Sequence, residues 1–124
     1  MTPPPLGYTT RMTVTDVTDG DTLTCETRTA WRVRLRDCWA PEIRGGEEAE
    51  KRHGLAAKEF LKSLALGRSG KLYIPSEFAS QLGDITSLSR LVGDVWIDGR
   101  EESLAEAMVK SGFASRRKHG KPGT

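Results

Sequence analysis

The sequence predicts an α+β, mainly β domain: a five-stranded barrel with one helix between the third and fourth strands and a second helix at the C-terminus. Three observations predict it. Short period-2 runs occupy residues 11–36, one long helical stripe follows, and two more β runs precede a helix with its own capping box. A length of 124 residues allows one domain with one core. A composition that is 36% hydrophobic and 29% charged suffices for a packed interior. No run approaches the roughly 20 apolar residues of a membrane helix, so no membrane partner is expected.

Each element has a local reason. The stretch TPPPLG at 2–7 cannot enter a helix interior, and residues 1–10 are expected to be a flexible proline-rich arm. Arg11 to Val17, with alternating Met12 and Val14, reads as a strand running into the turn Thr18-Asp19-Gly20-Asp21. Thr22 to Arg28 is the second strand. Trp31 to Arg36 alternates without exception, which puts Arg32, Arg34 and Arg36 on one face of a third. Short connections between the three predict an antiparallel meander. From Glu47 to Leu66 the period becomes helical, with Leu55/Ala56, Phe60 and Leu64 as the apolar stripe and Gly67 as the terminator. Lys71 to Pro75 is the fourth strand, Ser76 to Ser89 a polar irregular excursion, and Leu91 to Ile97 the fifth strand. Asp98-Gly99 turns the chain. Ser103 and Glu106 then form a capping box for a helix through Val109 that Gly112 closes. The order βββ-α-ββ-α is that of an OB-fold barrel, expected over residues 11–115.

The net charge of +2 is unevenly distributed. Arg116, Arg117, Lys118 and Lys121 carry four positive charges in the basic tail 116–124, which leaves −2 on the rest of the chain. Arg116, Arg117 and Lys118 are therefore candidate phosphate contacts. Cys25 and Cys38 lie thirteen positions apart with no CxxC pattern, so they read as two buried thiols and not as a zinc site or a disulfide framework. The N-terminus has no apolar core flanked by small residues, and a cytoplasmic location is expected.

Two stretches and one further arginine carry chemistry. Asp19-Gly20-Asp21-Thr22 places two carboxylates at a tight turn, an arrangement that by itself is an ordinary loop. Arg34-Leu-Arg-Asp-Cys-Trp-Ala-Pro41-Glu42 runs from a strand arginine to a carboxylate held directly after proline, where structure alone gives it little reason to be. Arg90 stands at the start of the fifth strand. Arg32 and Arg36 are expected on a solvated face, His53 and His119 as packing or surface groups, and Trp31 and Trp96 as core or groove lining.

The DGDT turn, the R-x-x-x-x-x-x-P-E segment from Arg34 to Glu42, and the ending LVGDVWIDGR…LAEAMVKSGFA after Arg90 together resemble the staphylococcal nuclease (thermonuclease) family, from about Val14 to Ala114. The resemblance implies a nuclease that hydrolyses phosphodiester bonds of DNA or RNA with little sequence preference, acting as a monomer. It implies Asp21 and the backbone carbonyl of Ala40 as calcium ligands, Glu42 as the general base, and Arg34 and Arg90 as the groups that bind the phosphate and stabilise its transition state. These roles are chemically coherent, because attack on an anionic diester needs neutralised oxygens, an aligned water and a proton acceptor.

Two departures stand out. Trp39 occupies the place of the family's second metal-binding aspartate, which implies a calcium site that is weak or that another divalent ion can fill. The C-terminal segment is basic and lacks the family's nucleotide-contacting tyrosines, so charge is expected to replace stacking. The alternative reading is a non-catalytic OB-fold module that binds single-stranded nucleic acid.

Overall fold

The computed structural model describes residues 8–27, 30–41, 47–75, 91–118, 120 and 123–124. Five strands, β1 (Tyr8–Asp19), β2 (Thr22–Glu26), β3 (Ala30–Leu35), β4 (Ser69–Ile74) and β5 (Leu91–Ile97), close into a barrel in the order β1-β2-β3-β5-β4. Helix α1 (Glu48–Ala65) lies between β3 and β4, and α2 (Leu104–Lys110) follows β5. This is the OB-fold, with the predicted elements in the predicted order.

Closure depends on β1, which is twelve residues long. Its first half pairs antiparallel with β4, from Tyr8 opposite Ile74 to Thr13 opposite Ser69, and its second half pairs with β2 from Thr13 to Asp19. Register shifts between Val14 and Asp16 and between Val17 and Asp19 bend it from one neighbour to the other, as bulges do at barrel corners. The strand begins three residues before the expected Arg11, so residues 8–10 of the expected arm belong to the barrel. The meander β1-β2-β3 is antiparallel as predicted, and β3 meets β5 in parallel through Val33, Arg34 and Leu35. Val14, Val17, Leu23, Val33, Leu35, Leu72, Ile74, Leu91 and Val95 point inward and are fully buried.

The apolar face of α1 differs from the expected one. Gly54, Ala57, Leu61 and Ala65 are buried, whereas Leu55 is 47% exposed and Ala56 faces water. Phe60 and Leu64 pack at the edge of the core. The helix lies close against the barrel, so small residues take the contact stripe and the larger Leu55 is turned away. Both helix terminators act as predicted. Gly67 and Gly112 adopt φ of 77° and 80°, and the Ser103 hydroxyl accepts the Glu106 N–H at 3.2 Å.

Cys25 and Cys38 are buried free thiols. Trp31 packs on the core with its indole N–H donated to the Thr27 hydroxyl at 3.1 Å. Gly123 lies against the domain, its N–H donated to the Ala114 carbonyl at 2.7 Å. No described helix is long and apolar enough to cross a membrane. The excursion expected at Ser76–Ser89 lies outside the described residues, as do Glu42, Arg90 and His119.

Candidate functional site

The chain gathers its chemistry at the end of the barrel where the β1-β2 turn meets the end of β3. Asp21 is 9% exposed and is fixed by three hydrogen bonds. Its Oδ2 accepts the Ala40 N–H at 3.0 Å, its Oδ1 accepts the Thr22 hydroxyl at 2.9 Å, and its own carbonyl accepts the Leu35 N–H at 2.8 Å. The turn fits here because residue 20 is glycine. A Cβ at Gly20 would stand 2.7 Å from the Ala57 Cβ of α1 and 2.8 Å from the Ala40 Cβ, closer than real Cβ contacts. The DGDT turn is therefore clamped between α1 and the segment after β3.

Arg34 pairs across the sheet with Thr22, next to Asp21. Its guanidinium donates toward the Cys38 carbonyl at 3.4 Å and stacks on the Trp39 ring, with Cζ 3.3 Å from the ring centroid. Near both charges is the Cys38 thiol, whose pKa burial pushes up to about 12, with Asp21 adding to the rise and Arg34 opposing it. Cys38 itself is inert as a nucleophile.

Asp37 turns the chain out of β3 in the left-handed conformation, φ 53°. The chain then runs to Trp39, which pairs with Ser115 in both directions: the Trp39 N–H donates to the Ser115 carbonyl at 2.8 Å and the Ser115 N–H to the Trp39 carbonyl at 3.0 Å. This bridge brings the start of the tail to the site. Lys118 Nζ lies 5.7 Å from the Trp39 ring centroid, whereas Arg116 is held by Glu106 at 2.9 and 3.0 Å. Arg117 is exposed.

Of the sequence-derived candidates, Asp21, Arg34, Ala40 and Lys118 thus meet at one end of the barrel, with Trp39 among them. Arg36 departs from the expected solvated face. It forms an ion pair with Asp94 at 2.8 Å, with side-chain exposures of 34% and 10%. Burial raises the Asp94 carboxyl above its usual range, against the pull of Arg36, and nearby Asp37 adds to the rise. This pair joins the end of β3 to β5. Its acid alternates with the inward-facing Leu91, Gly93, Val95 and Ile97 of β5, on the face where period 2 predicts exposure, so its burial beside Arg36 is not what alternation predicts.

The chain matches the family model described as staphylococcal nuclease homologue over residues 32–123, most of its length. It belongs to the staphylococcal nuclease homologue family. Among curated proteins nothing matches the chain. The family match begins within β3, so the DGDT turn lies before it, and the β2-β3 pairing brings Asp21 to the matched region.

At the site the carboxylate of Asp21 is the buried acidic group, and the Ala40 amide is bound to it. No group of three metal-binding side chains occurs among the described residues. Calcium takes six to eight oxygens, and a carboxylate has about four lone-pair sites, of which Asp21 uses two. A cation on Asp21 would therefore have to take most of its ligands from water, and the indole at 39 adds no oxygen.

Proposed function

We propose that this staphylococcal nuclease homologue is a calcium-dependent nuclease that hydrolyses phosphodiester bonds of DNA or RNA with little sequence specificity. The observation that supports the reading is that strand pairing sets a carboxylate held by backbone, Asp21, beside a guanidinium held on the Cys38 carbonyl and the Trp39 ring, Arg34, at one end of the barrel. A substrate phosphate needs both. A cation can sit on the carboxylate side, and the guanidinium meets charge that grows in the transition state.

Asp21 and the Ala40 carbonyl would hold the divalent ion, calcium or a substitute that relies less on protein ligands. Bound there, such an ion neutralises phosphate oxygens and lowers the pKa of a bound water. Arg34 and Arg90 orient and neutralise the phosphate, and Glu42 accepts the proton of the attacking water. Glu42 follows Pro41 directly and stands two residues from Ala40, whose amide Asp21 holds.

The second reading, a non-catalytic OB-fold module for single strands, is favoured by Trp39 and by the basic tail. Glu42 argues against it, since a carboxylate beside phosphate repels a ligand that is merely bound. Plasmid nicking with calcium and with chelator, on wild type and Glu42→Gln, separates the two. The nuclease nicks DNA with calcium, loses about 10²–10⁴-fold in rate on Glu42→Gln, and keeps its nucleic-acid affinity. Binding without nicking at any metal concentration decides for the module.

A further inference from the structure

The geometry points to a composite anion subsite in which Trp39 is a positioning residue that gathers Arg34 and Lys118 for the phosphodiester backbone of a nucleic acid, with segment 115–118 built into the site. The class of ligand rests on the nuclease reading above. The arrangement itself rests on three independent contacts.

First, the mutual backbone pair between Trp39 and Ser115, at 2.8 and 3.0 Å, fixes the start of the tail against residue 39. Second, the chain turns sharply just beyond it. The Ser115 hydroxyl donates to the Arg117 carbonyl at 2.6 Å, and the Gly120 N–H donates to the same carbonyl at 2.9 Å. That turn carries Lys118 to the indole while Arg116 is turned toward Glu106. Third, the indole holds a guanidinium at stacking distance and an ammonium within cation–π range, 3.3 and 5.7 Å from its centroid.

The choice of an aromatic holder matters. A carboxylate at position 39 would cancel the charge of any cation it ordered. The ring orders cations through its quadrupole and leaves their net charge intact. The contact with the ring, 3.3 Å from Cζ to centroid, holds the Arg34 guanidinium in place beside Lys118 without neutralising it. Two like charges on one ring repel, and a phosphodiester relieves that repulsion. In this protein the position that loses a metal-binding aspartate therefore strengthens the cationic half of the site.

The test is anisotropy titration of a labelled oligothymidylate into the full chain, with chelator present so that no metal contributes. Lys118→Ala is expected to weaken binding about three- to tenfold and to make the salt dependence shallower by about 0.7 in log–log slope. Lys71→Ala, which removes the same charge from the exposed face of β4, is expected to change binding far less. Trp39→Leu should weaken binding as much as Lys118→Ala, Trp39→Phe should restore most of it, and the Trp39→Leu/Lys118→Ala double variant should lose little more than either single one. Melting curves for each variant separate this pattern from loss of structure, and the exposed Lys118 keeps the idea testable should Trp39→Leu fail to fold. Equal losses at Lys118 and Lys71, or wild-type binding by folded Trp39→Leu, would overturn the subsite while leaving the nuclease reading intact. No binding by the wild type in chelator would overturn the subsite, and nicking with calcium then decides the nuclease reading separately.

Discussion

On one side of the candidate site Asp21 is held by the chain around it, through two backbone hydrogen bonds and the hydroxyl of its neighbour Thr22, and it is almost entirely buried. On the other side Arg34 and Lys118 are held by the ring of Trp39, and both keep contact with water. The acidic side is a product of strand pairing: once β2 pairs with β3, Asp21 has one place to be. The basic side is assembled from two separate stretches of chain, 34–39 and 115–118, and each cation on it faces the indole in a cation–π contact worth about 0.5–2 kcal/mol. The acidic side is consequently sensitive to sterics and the basic side to the identity of single side chains.

The largest effect that sharpens this contrast is on catalysis. Arg34→Ala should slow hydrolysis by about 10²–10³-fold, as loss of a transition-state donor does, and reduce substrate affinity much less. Arg32→Ala, two residues away and exposed, should be nearly silent. Steady-state kinetics on the pair checks this, and equal losses would make β3 a general electrostatic surface.

Gly20→Val comes next and attacks the acidic side through packing. Its Cβ would overlap Ala57 and Ala40, so a loss of about 1–3 kcal/mol in denaturant unfolding is expected. Oligonucleotide binding by the protein that remains folded should persist, because Lys118 and Trp39 do not touch the turn.

Arg36→Met probes the junction behind both sides. Removing the cation leaves Asp94 buried without its partner, which should cost about 1–3 kcal/mol at pH 7, less than a fully buried pair because Arg36 keeps part of its side chain in water. The sign with pH is fixed. The Asp94 carboxyl is already raised by burial, and losing Arg36 raises it further. A raised carboxyl favours the fold at low pH, and that contribution is lost as pH rises through its folded-state value. The deficit of Arg36→Met should therefore shrink as pH falls toward the titration of Asp94. Unfolding curves between pH 7 and 4 test this.

Trp39→Asp converts the basic side toward the acidic one. Calcium affinity by calorimetric titration should rise by about tenfold as a second carboxylate joins Asp21, while oligonucleotide affinity in chelator falls. A folded variant that binds calcium no better would remove Asp21 from the metal site. The smallest expected effect is none: the Cys25 and Cys38 thiols, both pushed up to about 12 by burial, should resist iodoacetamide at pH 8 in the native protein and react fully once it is unfolded.

The strand order, the two helices and their glycine stops were legible because each follows from local periodicity and caps. Asp21, Arg34 and Ala40 were singled out only through the family resemblance, and strand pairing explains why they fall together, since Thr22 at the start of β2 lies opposite Arg34 near the end of β3. The buried face of α1 was misread by hydrophobicity alone, since what selected Ala57 and Gly54 was the distance to the barrel. The Arg36–Asp94 pair and the pairing of Trp39 with Ser115 left no mark in the sequence. Residues 36 and 94, or 39 and 115, are far apart along the chain, and no period or motif couples them. Local sequence determines which segments are strands and helices, because backbone propensity and side-chain alternation act over a few residues. Only the closed barrel decides which charges are buried together and which ring two distant cations share, because those depend on the register in which β3, β5 and the C-terminal segment finally meet.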